Sequence, residues 1–225
     1  MNALTRTQLA SMLDSTLLAA DATAARITQL CAEAIALGIG AVYVNPTRVA
    51  LAASLLQGTP VQLGSVTGFP LGATLPAVKA FEARQVVDAA AQTVDMVLNV
   101  GALKDGNFAL VEEDVRQVVE AVAPRATVKV ILETCLLTDD EIQVACRLCE
   151  AAGAHFVKTS TGLSSGGATV GHVRLLRASV SSALGVKAAG GIRDYAIALQ
   201  MAQAGATRLG TSAAAAILAA VPAEF

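Results

Sequence analysis

Two lysines stand at the ends of short apolar segments, where lysine is uncommon. Lys158 closes Phe156-Val157-Lys158 and Lys187 follows Gly185-Val186, and a glycine-containing loop follows each lysine. Because a charged lysine is costly to remove from water, two of them in matching contexts predict one active site that contains two cations. A solvated strand end explains either lysine alone, so the prediction depends on the pair.

Paired buried lysines are suited to covalent chemistry on a carbonyl group. A lysine at its ordinary pKa of about 10.4 is protonated at neutral pH, and both burial and a neighbouring cation lower that value. One lysine could then attack a carbonyl carbon to form a Schiff base while the other stays charged. Asp95 could relay protons, although it could equally be a structural partner of Lys129.

Polar, glycine-containing loops close to these lysines suggest an anionic substrate. Gly190-Gly191 and Gly210-Thr211-Ser212 each precede a predicted helix, one from about Arg193 and one from Ser212, and Thr161-Gly162 could extend the same site. Glycines leave backbone N–H groups accessible, and a helix amino terminus attracts anions. These loops predict phosphate binding, although a Gly-Gly pair can also simply form a turn.

The elements that must position these residues alternate regularly between strand and helix. The predicted strands are 41–44, 60–67, 94–99, 127–133, 155–159, 185–189 and 207–209, with a possible eighth at 10–14. The predicted helices are 23–38, 47–56, 76–93, 107–122, 138–153, 169–184, 193–205 and 212–221. Such alternation indicates a parallel sheet. Eight units in 225 residues favour a closed (β/α)₈ TIM barrel over a doubly wound open sheet, which needs fewer strands.

A barrel places its active site at the carboxyl ends of the strands, and the loops after the last two strands commonly bind phosphate. Polar residues expected to support the site are Asp14, Asn45, Lys129 and Thr159. A buried parallel strand has no solvated face, so its charged residues must pair inside the barrel. With no linker or low-complexity segment, residues 1–225 are predicted to form one domain.

Composition excludes several other classes of protein. The net charge of −2 gives no basic footprint for nucleic acid, and glycines and prolines interrupt the longest uncharged stretch, 49–78, so no membrane helix is expected. The first residues lack an apolar signal region, and the four cysteines lack disulfide spacing, which together predict a cytoplasmic protein. With only His155 and His172, we expect neither a metal nor another cofactor.

Several motifs together resemble the deoxyribose-phosphate aldolase family. They lie at 68–72, 94–103, 156–162, 164–169, 186–193 and 208–212. The resemblance implies a metal-independent class I aldolase on a (β/α)₈ barrel, which reversibly cleaves 2-deoxy-D-ribose 5-phosphate to D-glyceraldehyde 3-phosphate and acetaldehyde. It also implies a role in deoxynucleoside catabolism in the cytoplasm and a homo-oligomer, either dimer or tetramer.

The same resemblance assigns residue roles: Lys158 forms the Schiff base, Lys187 lowers the pKa of Lys158, and Asp95 donates and accepts protons. This chain departs from the family at Ser15, at Tyr43, where a bulkier residue could crowd the barrel mouth, and at Phe225, where some relatives end in a tyrosine. Two alternatives stay open. One is another Schiff-base lyase acting on a different phosphosugar, and the other is a phosphosugar-binding barrel without catalysis.

Overall fold

Eight parallel strands close into a barrel in sequence order, with β8 paired to β1. The computed structural model describes residues 4–222. The strands are β1 Leu13–Leu17, β2 Ala41–Val44, β3 Gln62–Thr67, β4 Thr93–Val97, β5 Thr127–Ile131, β6 Phe156–Lys158, β7 Gly185–Ala189 and β8 Arg208–Thr211. The predicted (β/α)₈ TIM barrel is therefore confirmed.

Helices surround the barrel. They are α1 Arg6–Met12, α2 Ala24–Leu37, α3 Val49–Leu56, α4 Pro76–Asp88, α5 Val100–Lys104, α6 Phe108–Val122, α7 Asp139–Ala151, α8 Val170–Ser179, α9 Tyr195–Gln203 and α10 Ala214–Ala219. Several begin at polar caps that satisfy backbone N–H groups; at α7, for example, Thr138 and Glu141 form a capping box. Among the described helices, none is long and apolar enough to cross a membrane.

The first strand was predicted in the wrong place. Residues 10–12 belong to α1, and β1 begins only at Leu13. The reason is local: Thr5 accepts a hydrogen bond from the Gln8 backbone N–H, and the Gln8 side chain accepts one from the Thr5 N–H. This capping box starts a helix in a short segment whose periodicity is ambiguous. The helices predicted at 76–93 and 169–184 also end earlier, at Asp88 and Ser179.

The two faces of each strand have different environments. On β4, Val94 and Met96 pack with the apolar layer between strands and helices, whereas Asp95 points into the barrel. Glycines leave space inside for large side chains. A Cβ atom on Gly64 would lie 2.4 Å from Cε1 of Tyr43, and one on Gly185 would lie 2.0 Å from Cε1 of Phe156. The barrel interior is consequently filled by large polar and aromatic groups.

Candidate active site

A single carboxylate oxygen joins the two predicted lysines. Asp95 Oδ2 accepts hydrogen bonds from Lys158 Nζ at 2.8 Å and from Lys187 Nζ at 2.7 Å. Strands β4, β6 and β7 supply these residues, and all three side chains are buried. Lys129 is next to Asp95 on β5, but its Nζ donates to Tyr43 and Thr93 instead. Asp95 is therefore the shared partner of the two lysines rather than the hydrogen-bond partner of Lys129.

A second carboxylate, Asp14 on β1, contacts only one of those lysines. Asp14 Oδ2 forms an ion pair with Lys187 Nζ at 2.7 Å, and Asp14 Oδ1 accepts a hydrogen bond from Arg208 Nε at 2.9 Å. Sequence reasoning missed Arg208. The signal that could have found it is its spacing of two residues from Gly210 on β8, which places both on the inner face of the barrel.

The charges inside the barrel do not balance. Among the described residues, four cations (Lys129, Lys158, Lys187 and Arg208) surround two carboxylates (Asp14 and Asp95). Desolvation alone would raise the pKa of each carboxyl group, but the nearby cations hold both pKa values below their usual range. This excess of positive charge favours the neutral form of a lysine amine inside the barrel.

Burial lowers the pKa of Lys158, and the charge of Lys187 lowers it further, while Asp95 acts in the opposite direction. Burial also lowers the pKa of Lys129, to about 8. These two amines differ in access, because Lys158 lines an open cavity and Lys129 does not. Lys158 is therefore the amine that can be both neutral and within reach of a carbonyl carbon.

Two aromatic side chains, Tyr43 and Phe156, lie inside the barrel next to Lys187 and Lys129. The Tyr43 hydroxyl lies 3.0 Å from Thr93 Oγ1, at the first residue of β4, and the Phe156 ring is 5.2 Å from Lys129 Nζ. Tyr43 is buried and does not line the cavity above Lys158. The expectation that Tyr43 crowds the barrel mouth is thus wrong, because its ring packs against Gly64 and Lys187 inside the barrel and not in the cavity.

The cavity above Lys158 has a volume of about 360 Å³. All seven residues predicted to bind the anion line it: Thr161, Gly162, Gly190, Gly191, Gly210, Thr211 and Ser212. Two cations that were not predicted, Arg26 and Arg193, line it as well. A larger, mostly apolar cavity beside α4 contains none of the predicted residues. The cavity over Lys158 is therefore the candidate active site.

Some polar groups in this cavity already have partners. The Thr161 N–H and hydroxyl both donate to Glu133, and the Thr211 hydroxyl donates to the Ile192 carbonyl. Asp194 caps α9 through the Ile197 N–H, so a carboxylate already occupies that helix amino terminus. The helices predicted from 193 and 212 begin at 195 and 214. The groups in the cavity that could hold an anion are therefore the glycine loops and the two arginines rather than a bare helix end.

The remaining predicted residues do not line the cavity. Asn45 Nδ2 donates to the Ala19 carbonyl at 3.3 Å, and Thr159 Oγ1 donates to the Ala189 carbonyl at 3.0 Å. Both hydrogen bonds hold in place backbone segments, at Ala19 and Ala189, that line the cavity. Ser15 is adjacent to the inward-pointing Asp14 and so lies on the opposite face of β1. Phe225 lies outside the described residues.

Comparison with known proteins agrees with the fold. The model of the DeoC/LacD family aldolases matches residues 8–220. The chain belongs to this family. Deoxyribose-phosphate aldolase from Geobacillus sp. (strain WCH70) is 55% identical over 93% of this chain and 94% of its own. The enzyme from Streptococcus pneumoniae (strain CGSP14) is 56% identical over 94% of this chain and 96% of its own.

Among solved structures, the deoxyribose phosphate aldolase from Aeropyrum pernix superposes on this DeoC/LacD aldolase with a TM-score of 0.89. The two chains are 35% identical, and the alignment covers 96% of this chain and 91% of the other. The predicted family is confirmed, and with it the prediction that the protein is an aldolase.

Proposed function

We propose that this aldolase reversibly cleaves 2-deoxy-D-ribose 5-phosphate to D-glyceraldehyde 3-phosphate and acetaldehyde through a Schiff base on Lys158. One observation carries the assignment of residues: the buried amines of two lysines share a single oxygen of Asp95, and only one of the two lysines lines the substrate cavity. High identity to deoxyribose-phosphate aldolases over nearly the whole chain supports the choice of substrate.

The reaction begins at the neutral amine. Lys158 Nζ attacks the aldehyde carbon of the open-chain sugar to give a carbinolamine, which loses water to give a protonated imine. Asp95 Oδ2, 2.8 Å from that nitrogen, is placed to accept and return protons, directly or through water. Lys187 stays charged between its two carboxylates and favours the neutral form of Lys158.

The protonated imine then acts as an electron sink. A base removes the proton of the C3 hydroxyl, the C2–C3 bond breaks, and its electron pair moves toward the nitrogen to give an enamine. D-Glyceraldehyde 3-phosphate leaves with C3 as its aldehyde carbon. Protonation of the enamine at C2 and addition of water release acetaldehyde and return the free amine. No metal is required in these steps, so treatment with a chelator should leave the activity unchanged.

The phosphate of the sugar is assigned to the far side of the cavity. Positive φ angles at Gly162, Gly190 and Gly191 allow a close approach of backbone to ligand. Arg26 and Arg193 line the same cavity and add positive charge. Because the Thr161 donors are engaged by Glu133, Thr161 acts here by shaping the loop, and the loops after β7 and β8 supply the direct contacts.

We also propose that the protein is cytoplasmic, forms a single domain over residues 1–225 and assembles with copies of itself. Apolar side chains on α4 and in the preceding loop are exposed; they are Leu71, Leu75, Val78 and Phe81. An exposed apolar patch of this kind is typical of an interaction surface. The Aeropyrum pernix relative is described as a tetramer, so the oligomeric state in solution is worth measuring by light scattering.

Replacement of the nucleophile tests the proposal. Lys158→Met keeps a long side chain and leaves Lys187 with both carboxylates, so the barrel should still fold. We expect cleavage of 2-deoxy-D-ribose 5-phosphate, followed by coupled detection of D-glyceraldehyde 3-phosphate, to fall by at least about 10³-fold. Borohydride with acetaldehyde should add mass at Lys158 in the wild type and not in the variant.

The matched control is Lys104→Met, because Lys104 is an exposed lysine on α5 that pairs with Glu141. It should keep full activity. Retention of full activity by Lys158→Met would reject the Schiff-base assignment. Trapping on Lys158 without cleavage of this sugar would instead indicate a lyase for another phosphosugar.

A further inference from the structure

The largest fully buried side chain of the described residues is Tyr43, which the reaction steps above do not use. Tyr43 lies on β2, and the space for its ring exists because β3 has a glycine opposite. Its strand neighbour Gly64 would place a Cβ atom only 2.4 Å from the ring. Gly64 on β3 therefore leaves the space inside the barrel that the Tyr43 ring occupies.

The two ends of this side chain contact two different lysines. The ring face lies beneath Lys187, with Nζ 3.7 Å from the ring centroid. The hydroxyl accepts a hydrogen bond from Lys129 Nζ at 2.7 Å and contacts Thr93. Lys129 Nζ is 5.4 Å from the same centroid, so it interacts with the hydroxyl rather than with the ring face. Of the two lysines, only Lys187 has a cation–π geometry at close range.

An aromatic face is a selective partner for an ammonium group. Its negative quadrupole stabilises the cation but supplies no hydrogen-bond acceptor that would compete with Asp14 and Asp95. Lys158 has no such ring beside it among the described aromatic contacts. Two amines that share one oxygen of Asp95 are therefore made unequal by their other neighbours.

We propose that Tyr43 is a positioning residue whose ring holds the charged Lys187 ammonium against Asp95, so that Lys158 is left as the neutral amine. This inference rests on the proposed Schiff-base function. Besides the ring, the charged groups that face Lys187 are Asp14 from β1, Asp95 from β4, Lys129 from β5, Lys158 from β6 and Arg208 from β8. Without the ring, Lys187 loses the contact opposite its carboxylates, and Lys158 competes better for the proton.

The test compares a variant that keeps the ring with one that removes it. Tyr43→Phe retains the aromatic face and loses the hydroxyl, whereas Tyr43→Met fills similar space without a π face. The readout is the rate at which acetaldehyde and sodium cyanoborohydride modify Lys158, measured from about pH 5 to about pH 9. The midpoint of this profile does not depend on the fraction of folded protein, so loss of stability alone does not move it.

We expect Tyr43→Met to move the midpoint upward by about one pH unit and to slow trapping about tenfold at neutral pH. Tyr43→Phe should keep the wild-type midpoint. Equal midpoints for Tyr43→Met and the wild type would overturn the inference, and so would an equal shift in Tyr43→Phe, which would assign the effect to the hydroxyl. If Tyr43→Met does not fold, Tyr43→Leu serves for the same comparison.

If the proposed Schiff-base function itself were wrong, the trapping experiment would give a different result. In that case wild-type protein would show no trapping at Lys158 at any pH, and the variants would have nothing to shift.

Discussion

Lys158 and Lys187 are the same residue type, and both donate to the same carboxylate oxygen, yet their surroundings differ. Lys187 has a second carboxylate in Asp14 and an aromatic ring beneath it, and it is fully buried. Within residues 4–222, Lys158 forms an ion pair with Asp95 alone, and it faces the cavity. The different roles proposed for Lys158, the nucleophile, and Lys187, the permanent cation, therefore follow from their neighbours and not from residue type.

Removal of the permanent cation should make the nucleophile behave like an ordinary lysine. In Lys187→Met the positive charge that lowers the pKa of Lys158 is gone, while Asp95 remains and raises it. The pKa of Lys158 should rise, so less of it is neutral at pH 7. We expect the rising limb of the pH profile of kcat/KM to move upward by about one unit or more, with about a tenfold loss at pH 7. An unshifted limb would contradict the proposed role of Lys187.

On the scale of elements, Glu133 holds the start of the loop after β6. Glu133, just after β5, adopts a left-handed backbone with φ 57° and directs its buried carboxylate to the N–H and hydroxyl of Thr161. Thr161 and Gly162 are part of the cavity wall. A non-glycine residue in this conformation is strained, which indicates that the contact holds the loop in place.

We therefore expect Glu133→Asn to weaken substrate binding more than chemistry. Asparagine tolerates the left-handed backbone, but its shorter side chain does not reach Thr161. Loss of these charge-assisted hydrogen bonds should raise KM for the sugar phosphate about tenfold and change kcat less than about twofold. Thr161→Val should have a similar effect, and the double variant should be no worse than either single one. Additive effects in this double-mutant cycle would show that the two side chains act separately.

A second contact ties the helical layer to the strands. Lys79 on α4 forms a fully buried ion pair with Asp114 on α6 at 2.5 Å, and its ammonium also donates to the Val97 carbonyl at the end of β4. Asp95 lies two residues earlier on that strand. This pair links two outer helices to the strand that carries the shared carboxylate, and sequence reasoning did not single it out.

On the scale of the whole molecule, the charged interior makes the barrel sensitive to acid. The cations keep the pKa values of Asp14 and Asp95 below their usual value of about 3.9. A group whose pKa is lower in the folded state contributes stability above its unfolded pKa and loses it as the pH falls through the folded pKa. Below about pH 4 the unfolded chain binds protons at these two carboxyl groups that the folded barrel does not, so the stability they contribute decreases.

The expected result is a free energy of unfolding that stays nearly constant from about pH 7 to about pH 5 and falls steeply below about pH 4. Urea unfolding at a series of pH values measures it. Lys129→Met removes one cation, so the two carboxyl pKa values are less depressed. The loss in acid should shrink by roughly 1.4 kcal/mol for each unit of pKa shift removed. The same acid loss in both proteins would mean that surface carboxylates dominate.

The sequence by itself determined the barrel, the family and most residues of the candidate site, but not Arg26, Arg193 or Arg208. Alternating strand and helix periods specify parallel β/α units, and the motifs around Lys158, Lys187 and Gly190-Gly191 are local. The tertiary structure decided which side chains share an atom. Arg208 and Asp14 are far apart in sequence and lie on the two strands that close the barrel, so no local pattern predicts their contact. The orientation of Tyr43 was decided in the same way, because it depends on a glycine in the next strand and on Lys187 on β7, which is distant in sequence.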